Sequence, residues 1–322
     1  MSDPLSEARD AARHGPLYVV INVASGAQDR DQRLDMLRCV FTAAGRAHHF
    51  LPVDGTVRIT AVAARAVAQA REHRGVVVAA GGDGTLNAVA QVVLDSGCPF
   101  GVLPQGTFNY FGRAHGIPQD IEAAAVALLR SHVEAVQIGS VNGHVFLVNA
   151  SLGLYPKLLE DREAFKQQLG RSRGVALLSA LATLLRGARQ LRLDIDTGDG
   201  SQSLRTPTLF VGNNRLQFER LGLDQPASAL ERGQLAAIAI KPIGTAAMLG
   251  LALRGALGTL GEAGQLTGFA FRKLTVRPRG YRWIKLATDG EILRLRTPLV
   301  FEVAPQPLLL LVPDAADRVE AA

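Results

Sequence analysis

Over its first 130 residues the chain alternates short apolar runs with longer amphipathic stretches. Leu17–Ile21 (LYVVI) reads as a buried strand that runs into the polar turn Asn22–Gly26. A helix is predicted over 31–44, a strand over 47–53, an alanine-rich helix over 58–72 and a second all-apolar strand over 76–80. A helix over 88–94, a strand over 100–103 and a helix over 121–129 continue the alternation, which is the signature of a parallel α/β sheet.

The pattern changes near residue 136. Apolar segments 135–141 and 144–150 are joined by Asn142-Gly143, the strongest short hairpin signal. Helical stretches over 156–169 and 175–188 and a helix over 243–260 are set among strands at 191–197, 204–212, 234–240, 274–277 and 282–287. The expected organisation is an α/β domain over 16–136, a β-rich domain with inserted helices over 137–296, and a C-terminal segment, 297–322, that returns to the first.

Composition narrows the class. With 322 residues, 48% hydrophobic and 20% charged, the chain can bury a core, which excludes disorder and fibrous repeats. Its net charge of +6 suits phosphate-bearing ligands or anionic membrane surfaces, and scattered arginines give no ground for nucleic-acid binding. Two isolated cysteines, Cys39 and Cys98, argue against a disulfide framework or a zinc site. Met1–Gly15 is polar and lacks a signal peptide's apolar segment, and the longest apolar stretches fall short of the ~18 residues that span a bilayer. A cytoplasmic protein with transient peripheral membrane contact is the expectation.

Candidate chemistry concentrates in Val76–Leu94 (VVVAAGGDGTLNAVAQVVL), a strand running through Gly81-Gly82-Asp83-Gly84-Thr85 into a helix. Glycines admit an anion to the backbone, and the helix N-terminus adds a favourable dipole. A carboxylate beside phosphates is repulsive unless Mg²⁺ bridges them or the carboxylate handles a proton, so Asp83 points to metal-nucleotide chemistry. The plain alternative is a glycine-rich turn with Asp and Thr as helix caps. No Lys follows the glycines as a Walker A loop requires, and Asn87 stands where a dinucleotide fingerprint needs its third glycine.

GGDGTLN at 81–87 resembles the GGDGT signature of the diacylglycerol kinase catalytic-domain family, which includes bacterial lipid kinases and sphingosine kinases, with a looser likeness to NAD kinases and phosphofructokinases. Asn22–Gly26 (NVASG) is similar to that family's NPxSG turn, and Leu103–Pro118 (LPQGTFNYFGRAHGIP) to its PxGTxNDFAR segment. VNASLGLYP at 148–156, FVGNN at 210–214 and Asp289-Gly290-Glu291 resemble second-domain elements of bacterial members. The resemblance implies a nucleotide-binding α/β domain of the phosphofructokinase/NAD-kinase type, a β-rich C-terminal domain, and transfer of the γ-phosphoryl group of ATP to a lipid hydroxyl at a membrane surface. A homodimer is compatible with it.

By that resemblance Asn22, Ser25, Gly26, Ala80, Gly81, Gly82, Gly84, Thr85, Leu86, Thr107 and Asn109 line ATP, and Asp83 organises Mg²⁺ and the phosphates. Glu291 falls where the family's proton-accepting Glu lies. Three departures stand out. Tyr110 replaces an Asp, Val23 replaces the turn's Pro, and Leu230–Leu235 (LERGQL) replaces an LDDG-type loop that holds a structural Mg²⁺. Glu231 remains a candidate ligand there, with Arg232 expected to place a cation where the metal would sit. Two competing readings stay open: a non-catalytic binding relative, and a kinase of a soluble acceptor in the manner of NAD kinase.

Overall fold

The computed structural model describes residues 4–22, 27–154, 156–160, 190–198, 200–256 and 258–320. It divides into two compact units, residues 1–138 with 304–322, and residues 139–303.

The first unit is built on a six-stranded sheet of β1 (Leu17–Asn22), β2 (His48–Val53), β3 (Val76–Gly81), β4 (Phe100–Pro104), β5 (Ser131–Val136) and β18 (Leu308–Pro313), in the order β2-β1-β3-β4-β18-β5. β1 pairs in parallel with β2 and β3, and β4 pairs in parallel with β3 and β18; β5 runs antiparallel to β18. Every residue of β3 and β4 is buried, as strands covered on both faces must be. Helices α1 (Pro4–His14), α2 (Ala27–Ala43), α3 (Ile59–His73), α4 (Asp83–Val93), α5 (Tyr110–Ala114) and α6 (Ile121–Leu129) supply the cover. α3 packs on α4 and α2 on α6. Small side chains make the fit close: Ala63, Ala66 and Ala70 of α3 are buried at i, i+3 and i+7.

The second unit is a pair of six-stranded antiparallel sheets. One has the order β10-β9-β14-β17-β6-β7 and comprises β6 (Gly139–Val141), β7 (His144–Phe146), β9 (Leu191–Asp196), β10 (Ser201–Thr206), β14 (Lys273–Pro278) and β17 (Leu299–Val303). Its partner has the order β13-β12-β11-β8-β15-β16 and comprises β8 (Asn149–Gly153), β11 (Thr208–Gly212), β12 (Leu235–Ile240), β13 (Leu266–Phe271), β15 (Trp283–Thr288) and β16 (Glu291–Arg296). One core fills the space between them: Leu193, Leu274, Val276 and Phe301 from the first sheet meet Leu152, Leu209, Ala237 and Leu286 from the second. On the outer face of the second sheet, Ala236 and Ile238 pack with Phe218 of α7 (Arg215–Glu219) and Ala227 of α8 (Asp224–Glu231). α9 (Thr245–Ala256), a short 3₁₀ turn at Leu260–Glu262 and the helical residues 156–160 also belong to this unit.

Three sequence expectations need correction. Segment 135–141 is not one strand: β5 closes the first sheet, and β6 begins afresh in another after Gln137-Ile138. Likewise 144–150 divides into β7 and β8, and 204–212 divides at Pro207 into β10 and β11, which lie in different sheets. A proline has no N–H to give a ladder, and a strand that leaves its sheet there loses no bond. The helical stretch expected over 175–188 and most of that over 156–169 lie outside the described residues.

Candidate functional site

The order β2-β1-β3 places a topological switch between β1 and β3, because the chain leaves β1 for one neighbour and returns to the sheet on its other side. Asn22 ends β1 and Gly81 ends β3 at this point, and Asn22 Nδ2 donates to Thr85 Oγ1 at 3.3 Å. Gly81 is obligatory here, since a Cβ on it would lie 2.5 Å from the Thr85 Cβ. Gly82 is the N-cap of α4, and no side chain caps the helix. The glycine-rich turn is therefore the first turn of α4, which starts at Asp83 rather than near residue 88 as the sequence pattern suggested. Gly is tolerated at an N-cap, and an acidic residue in the first turn complements the helix dipole. The amide donors of that turn remain available to an anion.

Asp83 turns toward the start of α5. Its Oδ2 accepts from the Tyr110 N–H and its Oδ1 from the Phe111 N–H, both at 3.3 Å. Burial pushes its carboxyl above the usual aspartate range, against the opposing pull of the backbone N–H groups of Phe111, Tyr110 and Asn109. The loop that supplies those groups is pinned to the glycine turn: Gln105 N donates to Gly81 O at 2.8 Å, and a Cβ on Gly106 would fall 2.8 Å from Gly82 Cα. Asn109 holds the loop's shape. At φ +48° and buried, it accepts from Gly106 N at 2.9 Å and donates to Gly106 O at 2.9 Å and to Gln119 Oε1 at 3.0 Å.

The residues expected to line a nucleotide thus divide by what they offer. Ala80 and Leu86 are fully buried, so only their backbones face the turn, and the Asn109 side chain is spent on its own loop. Gly82, Gly84 and Thr85 form the open helix start, and Thr107 is exposed beside it. Ser25 and Gly26 lie outside the described residues. The sequence reading missed Asn87 Oδ1 and Gln105 Nε2, two buried polar atoms with no protein partner, borne by α4 and by the loop after β4. Asn87 sits one helical turn beyond Asp83, a spacing that could have flagged it.

In the second unit, Asp289 and Gly290 have φ values of +46° and +88° and make the two-residue turn between β15 and β16, where Thr288 pairs with Glu291. Asp289 is buried and accepts from the N–H groups of Leu147 at 2.7 Å and of Val148 and Asn149 at 2.9 Å. Glu291, accessible at the start of β16, is crowded by surrounding protein that pushes its carboxyl above the ordinary glutamate range.

Glu231 is not poised for a metal. Arg215 pairs with both Glu219 and Glu231, bridging α7 and α8. Arg232, expected to supply the cation, instead donates to Ser228 Oγ at 3.4 Å. Among the described residues no three His, Cys, Asp or Glu side chains gather as a metal site. No described helix is long and apolar enough to cross a membrane.

Fold and site together define an α/β unit of the NAD-kinase/phosphofructokinase type, carrying a glycine turn at its switch point, in a chain with a second, β-rich unit. A solved diacylglycerol kinase chain from Bacillus anthracis superposes with a TM-score of 0.66 at 18% identity, covering 94% of this chain and 98% of that one. Another solved chain from the same organism gives a TM-score of 0.71 at 19% identity over 94% and 97%. At this level of identity the likeness concerns the fold.

Residues 16–141 match the family model of the diacylglycerol kinase catalytic domain, so the resemblance read from the motifs is shown for that segment. A diacylglycerol kinase of Staphylococcus aureus is 42% identical over 84 residues, 26% of this chain and 27% of that protein. An uncharacterized protein of Synechocystis sp. is 36% identical over 96 residues, 29% and 22% of the two chains. The aligned segments span about a quarter of the length of these curated relatives.

Proposed function

We propose that this chain is an ATP-dependent lipid kinase that transfers the γ-phosphoryl group of ATP to the hydroxyl of a diacylglycerol-like acceptor presented at a membrane surface. One observation carries the reading: an uncapped helix start, lined by glycines at the switch point of a parallel sheet, begins with a half-buried carboxylate whose proton affinity is raised. The amides of Gly82 to Thr85 hold the phosphates, and Asn22 fixes Thr85. Asp83 is the single carboxylate at this turn, so Asp83 would be the protein's contribution to holding Mg²⁺ there, the described residues offering no cage of ligands. When bound, it neutralises phosphate charge. A structural metal at Glu231 does not fit, because Arg215 already supplies the positive charge there.

Glu291 accepts the proton of the acceptor hydroxyl. A carboxylate whose pKa is raised stands closer to the working pH, and general-base efficiency follows that match. Alignment and charge neutralisation, more than covalent chemistry, carry phosphoryl transfer, which is why the site is mostly backbone.

The test is transfer of labelled phosphate from Mg-ATP to diacylglycerol, monoacylglycerol, phosphatidylglycerol, sphingosine and undecaprenol in mixed micelles, with Asp83→Ala as control. The reading expects a labelled lipid that disappears in the variant, and turnover retained by a folded Asp83→Ala protein overturns it. Binding of ATP without transfer to any acceptor favours a non-catalytic relative. That second reading draws on Tyr110, which offers Asp83 a backbone N–H where the family has a further carboxylate.

A further inference from the structure

The loop from β4 into α5 carries two aromatic side chains on either side of Asn109. Asn109 turns into the protein in a left-handed backbone conformation, and its flanking residues emerge as a pair. The rings of Phe108 and Tyr110 stack with centroids 5.8 Å apart and planes inclined by 5°. Phe108 remains 55% exposed, and it is the one exposed large aromatic side chain among the described residues of the first unit. The residues that precede it in the loop, Gln105, Gly106 and Thr107, are small or polar, so along the chain the exposed ring follows a polar stretch.

Position adds the second constraint. Gly106 is packed against Gly82, the N-cap of α4, and two residues of chain from Gly106 to Phe108 reach at most ~7 Å. The flat surface therefore lies close to an anion-binding helix start. A ligand that satisfies both has a polyanionic tail and a planar aromatic head. The loop is also held for display: three hydrogen bonds from the buried Asn109 side chain fix it, and the N–H groups of Tyr110 and Phe111 are tied to Asp83.

We propose that the Phe108–Tyr110 pair is the stacking platform for the nucleobase of the nucleotide whose phosphates lie at the start of α4. This rests on the nucleotide-binding part of the kinase reading and assigns base contact to two residues outside the glycine turn. Stacking on an exposed aromatic face is sequence-tolerant and contributes appreciably per base.

Calorimetric titration of the full chain with ATP and, separately, with inorganic tripolyphosphate tests it. Phe108→Leu keeps an apolar side chain but removes the flat face; it weakens ATP binding about tenfold and leaves tripolyphosphate binding unchanged. Phe108→Trp and Tyr110→Phe, which keep aromatic faces, bind ATP as the unaltered chain does. The platform is overturned if Phe108→Leu binds ATP normally, if it loses ATP and tripolyphosphate equally, or if its only loss is binding to phosphatidylglycerol vesicles. An unaltered chain that binds neither anion overturns the kinase reading together with the platform, whereas ATP binding indifferent to Phe108→Leu overturns the platform alone.

Discussion

Each unit holds an aspartate against backbone N–H groups, and the two are held differently. Asp289 receives three amides at 2.7 to 2.9 Å from consecutive residues, while Asp83 receives those of Tyr110 and Phe111 at 3.3 Å. Charge-assisted N–H···O⁻ bonds are strongest near the shorter of these distances. Asp289 is consequently a fastener, joining the β15–β16 turn to the chain between β7 and β8. The looser grip on Asp83 fails to offset its burial, and its affinity for a proton is raised. A carboxylate fully satisfied by the fold has little left for chemistry; one that is desolvated and partly satisfied does.

The largest effect expected from this contrast is catalytic. Asp83→Ala lowers phosphate transfer at least ~10³-fold, about 4 kcal/mol of barrier, and moves the melting temperature by only a few degrees. The mirror experiment is Asp289→Ala, which strands three buried N–H groups and places Ala at φ +46°. Denaturant unfolding reads a stability loss of about 3 kcal/mol. Equal destabilisation by the two substitutions breaks the comparison.

Acid titration sharpens it. His115, at the end of α5 and in edge contact with Phe111 at 4.9 Å, has its pKa lowered to about 4 by burial. The unfolded chain binds the additional proton between pH 6.5 and 4, so stability falls by about 3 kcal/mol as pH drops through that window. Asp83 has the opposite sign: its raised pKa makes the folded state the better proton acceptor above the unfolded value, and stability rises as pH falls. Melting curves of His115→Phe across this range remove the first slope and leave the second exposed. The smallest effect belongs to Arg215→Gln, whose solvent-exposed ion pairs contribute about 0.5 kcal/mol, and a chelator leaves the melting temperature of the unaltered chain unchanged.

Sequence periodicity made the first unit legible because fully buried parallel strands are written as unbroken apolar runs. Val76–Ala80 and Phe100–Leu103 were placed within a residue of β3 and β4. Both two-residue hairpins were legible for a chemical reason, since Asn142-Gly143 and Asp289-Gly290 take the left-handed conformations those residues favour. The start of α4 was not, because glycine reads as a helix breaker and here serves as the N-cap. Strand segments that change sheet, at Ile138 and Pro207, were hidden because side-chain alternation is indifferent to which neighbour a strand pairs with. Motif spacing singled out Asp83 and Glu291 as candidates, but the inward turn of Asn109 and the pairing of Arg215 with Glu231 depend on contacts distant in sequence or on backbone conformation.

β18 lies between β4 and β5 in the first sheet, although it is the last strand in the chain. During synthesis β1 to β5 emerge early, yet β5 has no ladder partner until residues 308–313 leave the ribosome. The whole of the second unit has by then been translated and is free to fold as a unit of its own. Shortening the C-terminus therefore acts on the oldest part of the nascent chain: loss of 308–313 leaves the edges of β4 and β5 without hydrogen-bond partners and open to pairing with another chain.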